Sequence, residues 1–210
     1  MSQPASDFTP ALGPRGSIKL YDHLIALLTR EKTWRSELLV ALTLQEALTI
    51  VDIGAGTASM AIAIKSTHIR IIAEAKAKKA GTEVEFITAM GDTKLDDTIL
   101  PGTVDRVLIS LVLHQCPLTM KMSILANAFR FLKPGGRLLI ADYGRQRSMF
   151  MKVAFNLVRL TDGYEDTRAN KNGRLPEFMS RAGFMNVEER SVTPTPTGSI
   201  SIYTAMKPTE

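Results

Sequence analysis

"VDIGAGTASMAIAIKSTHIRIIAEAKAKKAG", Val51–Gly81, is the stretch whose reading decides the fold of this chain. It opens as a short apolar strand, turns at Gly54 and Gly56, and runs into the helix-like "SMAIAIK" (Ser59–Lys65). A strand, a glycine turn and a helix start gather unpaired backbone N–H groups and the positive end of a helix dipole at one point. Such a point suits a carboxylate or a phosphate. Asp52, just before the turn, adds a carboxylate that can accept from an ammonium group or order the loop.

The second half of the stretch has two readings. In the first, "HIRIIAE" is a second strand, because Ile69, Ile71 and Ile72 are β-branched. Glu74 then stands at its end, 20 residues after Gly54, where a nucleotide site places an acid for the ribose. In the second, "IRIIAEAKAKKAG" is a helix, since its last part has high helix propensity. The first is preferred, because losing an interior strand would leave its neighbours' buried backbone groups unpaired.

The surrounding sequence alternates strand and helix. "ALTIVDIG" (Ala47–Gly54) reads as a buried parallel strand and "TEVEFITAM" (Thr82–Met90) as another, followed by the polar "GDTKLDD". "VDRVLISLVLHQC" (Val104–Cys116) reads as one long strand. "TMKMSILANAFRFL" (Thr119–Leu132) is an amphipathic helix stopped by "KPGG" (Lys133–Gly136), a turn before the strand "RLLIADYG" (Arg137–Gly144). "SMFMKVAFNLVRL" (Ser148–Leu160) and "RLPEFMSRAGF" (Arg174–Phe184) are helical, and "NVEERSVTPT" with "GSISIYTAMK" forms a terminal antiparallel pair. The fold class predicted is α/β: a doubly wound, Rossmann-like, mostly parallel sheet with an antiparallel C-terminal edge strand and N-terminal helices.

Composition bounds the function. At 210 residues, 45% hydrophobic and 22% charged, the chain can bury a real core. Its net charge of +5 is spread out, with "KAKK" (Lys76–Lys79) a solvated helix face rather than a nucleic-acid site. One cysteine, Cys116, allows no internal disulfide and fits a reducing compartment. Residues 1–20 lack a signal-peptide core, and no run approaches a membrane span. A cytoplasmic protein is expected. Its three histidines and one cysteine lack metal-ligand spacing, so no metal is expected.

"VDIGAGTA", then "GD" (Gly91, Asp92), then "DRVLISLVLHQC", then "LKPGGRLLIADYG" resembles the class I S-adenosylmethionine-dependent methyltransferase family, most of all its ubiquinone/menaquinone-type and small-molecule members. The resemblance implies S-adenosyl-L-methionine as cofactor. It implies that Asp52, Gly54, Ala55 and Gly56 line the methionine end, Glu74 takes the ribose, Gly91 and Asp92 flank the adenine, and Ser110 and Leu111 close the pocket. Two departures stand out. Ala58 replaces the third glycine of the family's loop, and the segment between Lys65 and Thr82 is shorter than usual.

Methyl transfer from a sulfonium is an in-line displacement, in which the protein chiefly aligns acceptor and methyl. Where the acceptor must lose a proton, His114 is the candidate base, with Asp142 and Tyr143 as lesser candidates; a histidine bonded only within the structure is the plainer reading. The organisation expected is a flexible tail (1–17) and a single domain (18–210). The domain comprises N-terminal helices (18–46), a cofactor-binding core (47–145), and a helical cap with terminal hairpin (146–210). The apolar helix Met149–Leu160 can cap a hydrophobic acceptor, pack as core, or touch a membrane surface weakly. The expected function is methylation of a small hydrophobic or aromatic acceptor. The shortened segment motivates an alternative, a catalytically inactive binding or partner module. A nicotinamide-dependent dehydrogenase shares the glycine turn but not "KPGG" or the terminal hairpin.

Overall fold

The structure, a computed structural model, describes residues 28–42, 48–53 and 98–209. Within these residues five strands form one sheet in the order β1-β2-β3-β5-β4. β1 (Ile50–Ile53), β2 (Val104–Ser110) and β3 (Leu132–Tyr143) run parallel. β4 (Met185–Thr195) and β5 (Gly198–Met206) form the expected hairpin, with β5 antiparallel to β3. The last strand therefore lies inside the sheet, and β4 is its edge. Pro194, which has no N–H to give a ladder, sits in that edge strand.

The interior strands are apolar on both faces because helices cover both. Val107, Ile109, Leu138, Ile140, Tyr203 and Ala205 pack on one side with residues of α2 (Leu118–Phe131) and α5 (Leu175–Arg181), such as Ile124, Leu125, Phe131 and Phe178. Leu139, Ala141, Tyr143, Ile200 and Ile202 face the other way. They meet Trp34 and Leu38 of α1 (Glu31–Leu42) and Phe155 and Val158 of α3 (Met149–Asp162). Two-residue alternation along β3 and β5 thus feeds two cores at once.

Three expectations are revised. β2 ends at Ser110, not at Cys116: Leu111 turns into the left-handed region at φ +54°, and Leu113–Gln115 form a single 3-10 turn. "KPGG" does end α2, but its residues lie within β3 as an irregularity, where the β2–β3 register skips between Val104 and Arg106. Gly135 takes φ +74°, and Lys133 Nζ is 2.9 Å from Asp105 Oδ1 of β2. The third is an extra helix, α4 (Tyr164–Lys171), between the two helices expected after β3. Acids fill its first turn and bases its last, the arrangement the helix dipole favours.

Candidate functional site

β1, β2 and β3 end side by side. Ile53 pairs with Ile109, and Ser110 with Ala141, so Asp52, Ser110, Leu111 and Asp142 arrive at the same rim of the sheet. This is the carboxyl end of the parallel strands, where open α/β sheets bind ligands. Gly54, Ala55, Gly56, Glu74, Gly91 and Asp92 lie outside the described residues, as do both readings of the second strand.

Leu111 carries the strain of this rim. A branched residue at φ +54° costs of the order of 1 kcal/mol or more, and it is held there by its N–H, which donates to Ala141 O at 2.8 Å. The turn lets the chain leave β2 abruptly and present Leu113 and His114 to Asp142. The Asp52 residue is exposed at the end of β1, yet the protein packed round its carboxyl raises it to about 6. Burial is the main cause, opposed by the Arg35 guanidinium of α1. A carboxylate so placed gains from a cationic partner.

His114 lies at the centre of a buried charge cluster. Asp142 Oδ2 accepts from the backbone N–H groups of Leu113 (2.7 Å) and His114 (3.2 Å), and Oδ1 accepts from Tyr143 N (2.7 Å). The His114 ring donates from Nδ1 to Asp142 Oδ1 at 2.7 Å, while Nε2 faces Asp162 Oδ2, the last residue of α3, at 3.1 Å. A carboxylate at each nitrogen assigns a proton to each. Burial works to lower the imidazolium's pKa, but Asp142 and Asp162 together outweigh it and raise the pKa to about 9. With both nitrogens committed, the ring has no lone pair to take a proton from an acceptor. The Tyr143 ring stands edge-on to it at 4.9 Å, and the Tyr143 hydroxyl bonds Thr197 at 2.7 Å.

Asp142 and Tyr143 are thus beside His114, but both are spent on holding it. Lys121, near-fully buried on α2, secures the same turn: its ammonium donates to the carbonyls of Cys116 and Asp166, and burial pushes its pKa down. Cys116, expected in a strand, is buried just after the 3-10 turn. Sequence reasoning missed Asp162. One signal was present: an acid in a helix's last turn opposes the helix dipole, and so asks for a cation.

The profile of the ubiE/COQ5 methyltransferase family matches residues 17–161. Aclacinomycin 10-hydroxylase of Streptomyces purpurascens is 28% identical over 158 residues, 68% of this chain; the chain spans 41% of that relative's length. Among solved structures, a methyltransferase of Thermotoga maritima described as a possible histamine N-methyltransferase superposes with a TM-score of 0.64 at 20% identity. That match covers 90% of this chain and 95% of the other. The magnesium protoporphyrin IX methyltransferase of Synechocystis with bound SAH gives 0.63 at 18% identity, covering 92% and 90%. The sheet, its strand ends and the matched segment agree: the chain belongs to the ubiE/COQ5 methyltransferase family, within the class I S-adenosylmethionine-dependent methyltransferases.

Proposed function

We propose that this chain transfers a methyl group from S-adenosylmethionine to a small, hydrophobic or aromatic acceptor. The observation that carries this reading is the convergence of Asp52, Ser110 and Leu111 at one rim of a family-type sheet. The donor set suits the cofactor, since a partly desolvated carboxylate at the end of β1 matches an ammonium group. When bound, S-adenosylmethionine supplies an electrophilic methyl on a sulfonium.

The chain's own residues would do the positioning. Asp52 takes the ammonium, the amides of Gly54, Ala55 and Gly56 take the carboxylate, and Glu74 takes the ribose. Gly91 and Asp92 flank the adenine, and Ser110 and Leu111 close the pocket. An apolar acceptor is supported by Leu111, Tyr143 and Phe155, which pack together beside the strand ends. His114 acts as a base in this scheme only once Asp162 releases Nε2. Otherwise it fixes α3 against the rim, and an acceptor that loses its proton to water needs no base.

Calorimetry with S-adenosylmethionine and with its demethylated product tests the cofactor site, and Gly54→Asp is expected to abolish the heat. No binding at millimolar ligand would end the reading. Incubation with hydroxylated aromatic acceptors, read by mass spectrometry, tests the transfer.

A further inference from the structure

Helix α3 leaves a row of apolar side chains in water. Met149, Phe150, Val153, Leu157 and Leu160 range from 57% exposed at Leu157 to 73% at Met149. At 3.6 residues per turn they fall within one stripe about 100° wide. Phe155, Val158 and Asp162 face the opposite way, into the protein. Tyr164, 50% exposed, extends the apolar surface past the helix end. Scattered apolar residues on a surface need no explanation, but a continuous stripe does.

Cations border the stripe. Lys152 and Arg159 lie along one margin, and Lys171 stands on the neighbouring α4. Among the described residues none of the three has a carboxylate partner; Arg159 bonds Asn156 and the Tyr164 carbonyl instead. They also crowd one another. The Lys171 ammonium is pushed below its ordinary value, first by partial burial and then by the charges of Arg159 and Lys152. Nearby acids are engaged elsewhere, Asp162 with His114, Glu165 with Arg168 and Glu189 with Arg147.

We propose that α3 is a membrane-surface helix that lies in the headgroup layer of an anionic phospholipid bilayer. Its stripe enters the acyl boundary, and Lys152, Arg159 and Lys171 meet lipid phosphates. Charge selects this occupant over a second copy of the chain. A two-fold pairing of stripes would bring the same unpaired cations towards each other, whereas an anionic surface neutralises them. Length selects the pose: at 14 residues α3 is shorter than a span, and no described helix is long and apolar enough to cross a membrane. This inference does not depend on the methyl-transfer reading.

The test uses the whole chain with no cofactor or acceptor present. Co-sedimentation with phosphatidylcholine vesicles is compared with vesicles that also contain phosphatidylglycerol. Binding is expected to the anionic vesicles, with little to the neutral ones, and to weaken at high salt as the charges are screened. Val153→Glu with Leu157→Glu should reduce binding roughly tenfold or more, and Lys152→Glu with Lys171→Glu should erase the anionic preference. All four positions lie on the surface or partly so, and unchanged far-UV circular dichroism confirms that each double variant folds. Wild-type protein that ignores anionic vesicles, or a stripe variant that binds as well as wild type, overturns the proposal. So does sedimentation equilibrium showing a lipid-free dimer that the stripe variant breaks, since the stripe then belongs to a second copy.

Discussion

Removing the positive charge of His114 should cost this protein stability in a pH-dependent way. The ring's pKa is about 9 in the folded chain against 6.5 ordinarily, a gap of about 2.5. At about 1.4 kcal/mol per unit this is roughly 3 kcal/mol of preference for the imidazolium. Because the folded value is raised, the stabilisation is complete below pH ~6.5 and is lost as pH rises through about 9. Between these limits unfolding free energy should fall by up to ~1.4 kcal/mol per pH unit from this group. Urea unfolding measured from pH 6 to 10 reads it, followed by Trp34, the chain's one tryptophan, which is buried in the same core cluster as Tyr143 and Phe155. His114→Leu leaves Asp142 and Asp162 buried without their cation and should lose about 3–5 kcal/mol near neutrality, with the slope gone. Should that variant not fold, Asp162→Asn keeps a hydrogen-bond acceptor for Nε2 and moves the loss of stability to lower pH. A wild-type profile flat from pH 6.5 to 9, or a slope that survives in His114→Leu, would refute the charge cluster.

Three other outcomes follow from the same fold. Gly144→Ala places a Cβ 2.6 Å from the Tyr203 hydroxyl and 2.8 Å from Ser201 Cβ, so thermal unfolding should show a loss of about 1–3 kcal/mol. For Asp52, whose carboxyl is raised to about 6, affinity for S-adenosylhomocysteine should fall roughly tenfold per pH unit below 6. Asp52→Asn should weaken binding by ten-fold or more at pH 7.5 and remove that dependence, both read by calorimetry. Trp34→Phe deletes an indole N–H that is buried without a partner among the described residues, which offsets part of the lost packing. Chemical denaturation should therefore show a change within about 1 kcal/mol, against 3–5 kcal/mol for Trp34→Ala.

The parts of the fold legible in the sequence are those set by neighbours in the chain. The helical spacing of Met122, Leu125, Ala126, Phe129 and Leu132 and the polar break at "KPGG" marked α2 and its end, although the face it buries is Ile124, Leu125, Ala128 and Phe131 and Ala126 is exposed. Ser148, whose hydroxyl accepts from Met151 N at 3.1 Å, marked the start of α3. β2 was read too long because "VLISLVLHQC" is apolar throughout. Nothing local distinguishes a residue that continues a strand from one bent into the left-handed region by a bond to the next strand. α4 was passed over since its polar sequence shows no apolar stripe, and its stability comes from packing on the turn at Leu113–Gln115.

The candidate site divides along the same line. Asp52, Ser110 and Leu111 were named from a motif, and β-strand register brings them to one rim. The role of His114 depended on partners that sequence spacing does not reveal. Asp142 and Asp162 reach it from different elements, and together they turn a candidate base into a doubly bonded cation.

By itself the sequence determined the alternation of strand and helix, the helix stops, the terminal hairpin and the family, because backbone preference and side-chain period act over a few residues. Only the tertiary structure decided that β5 enters between β3 and β4, that Leu111 is strained, that His114 is clamped by two carboxylates, and that one face of α3 stays in water. Each of these is settled by which surfaces meet across the fold, and burial and charge pairing depend on those meetings rather than on order along the chain.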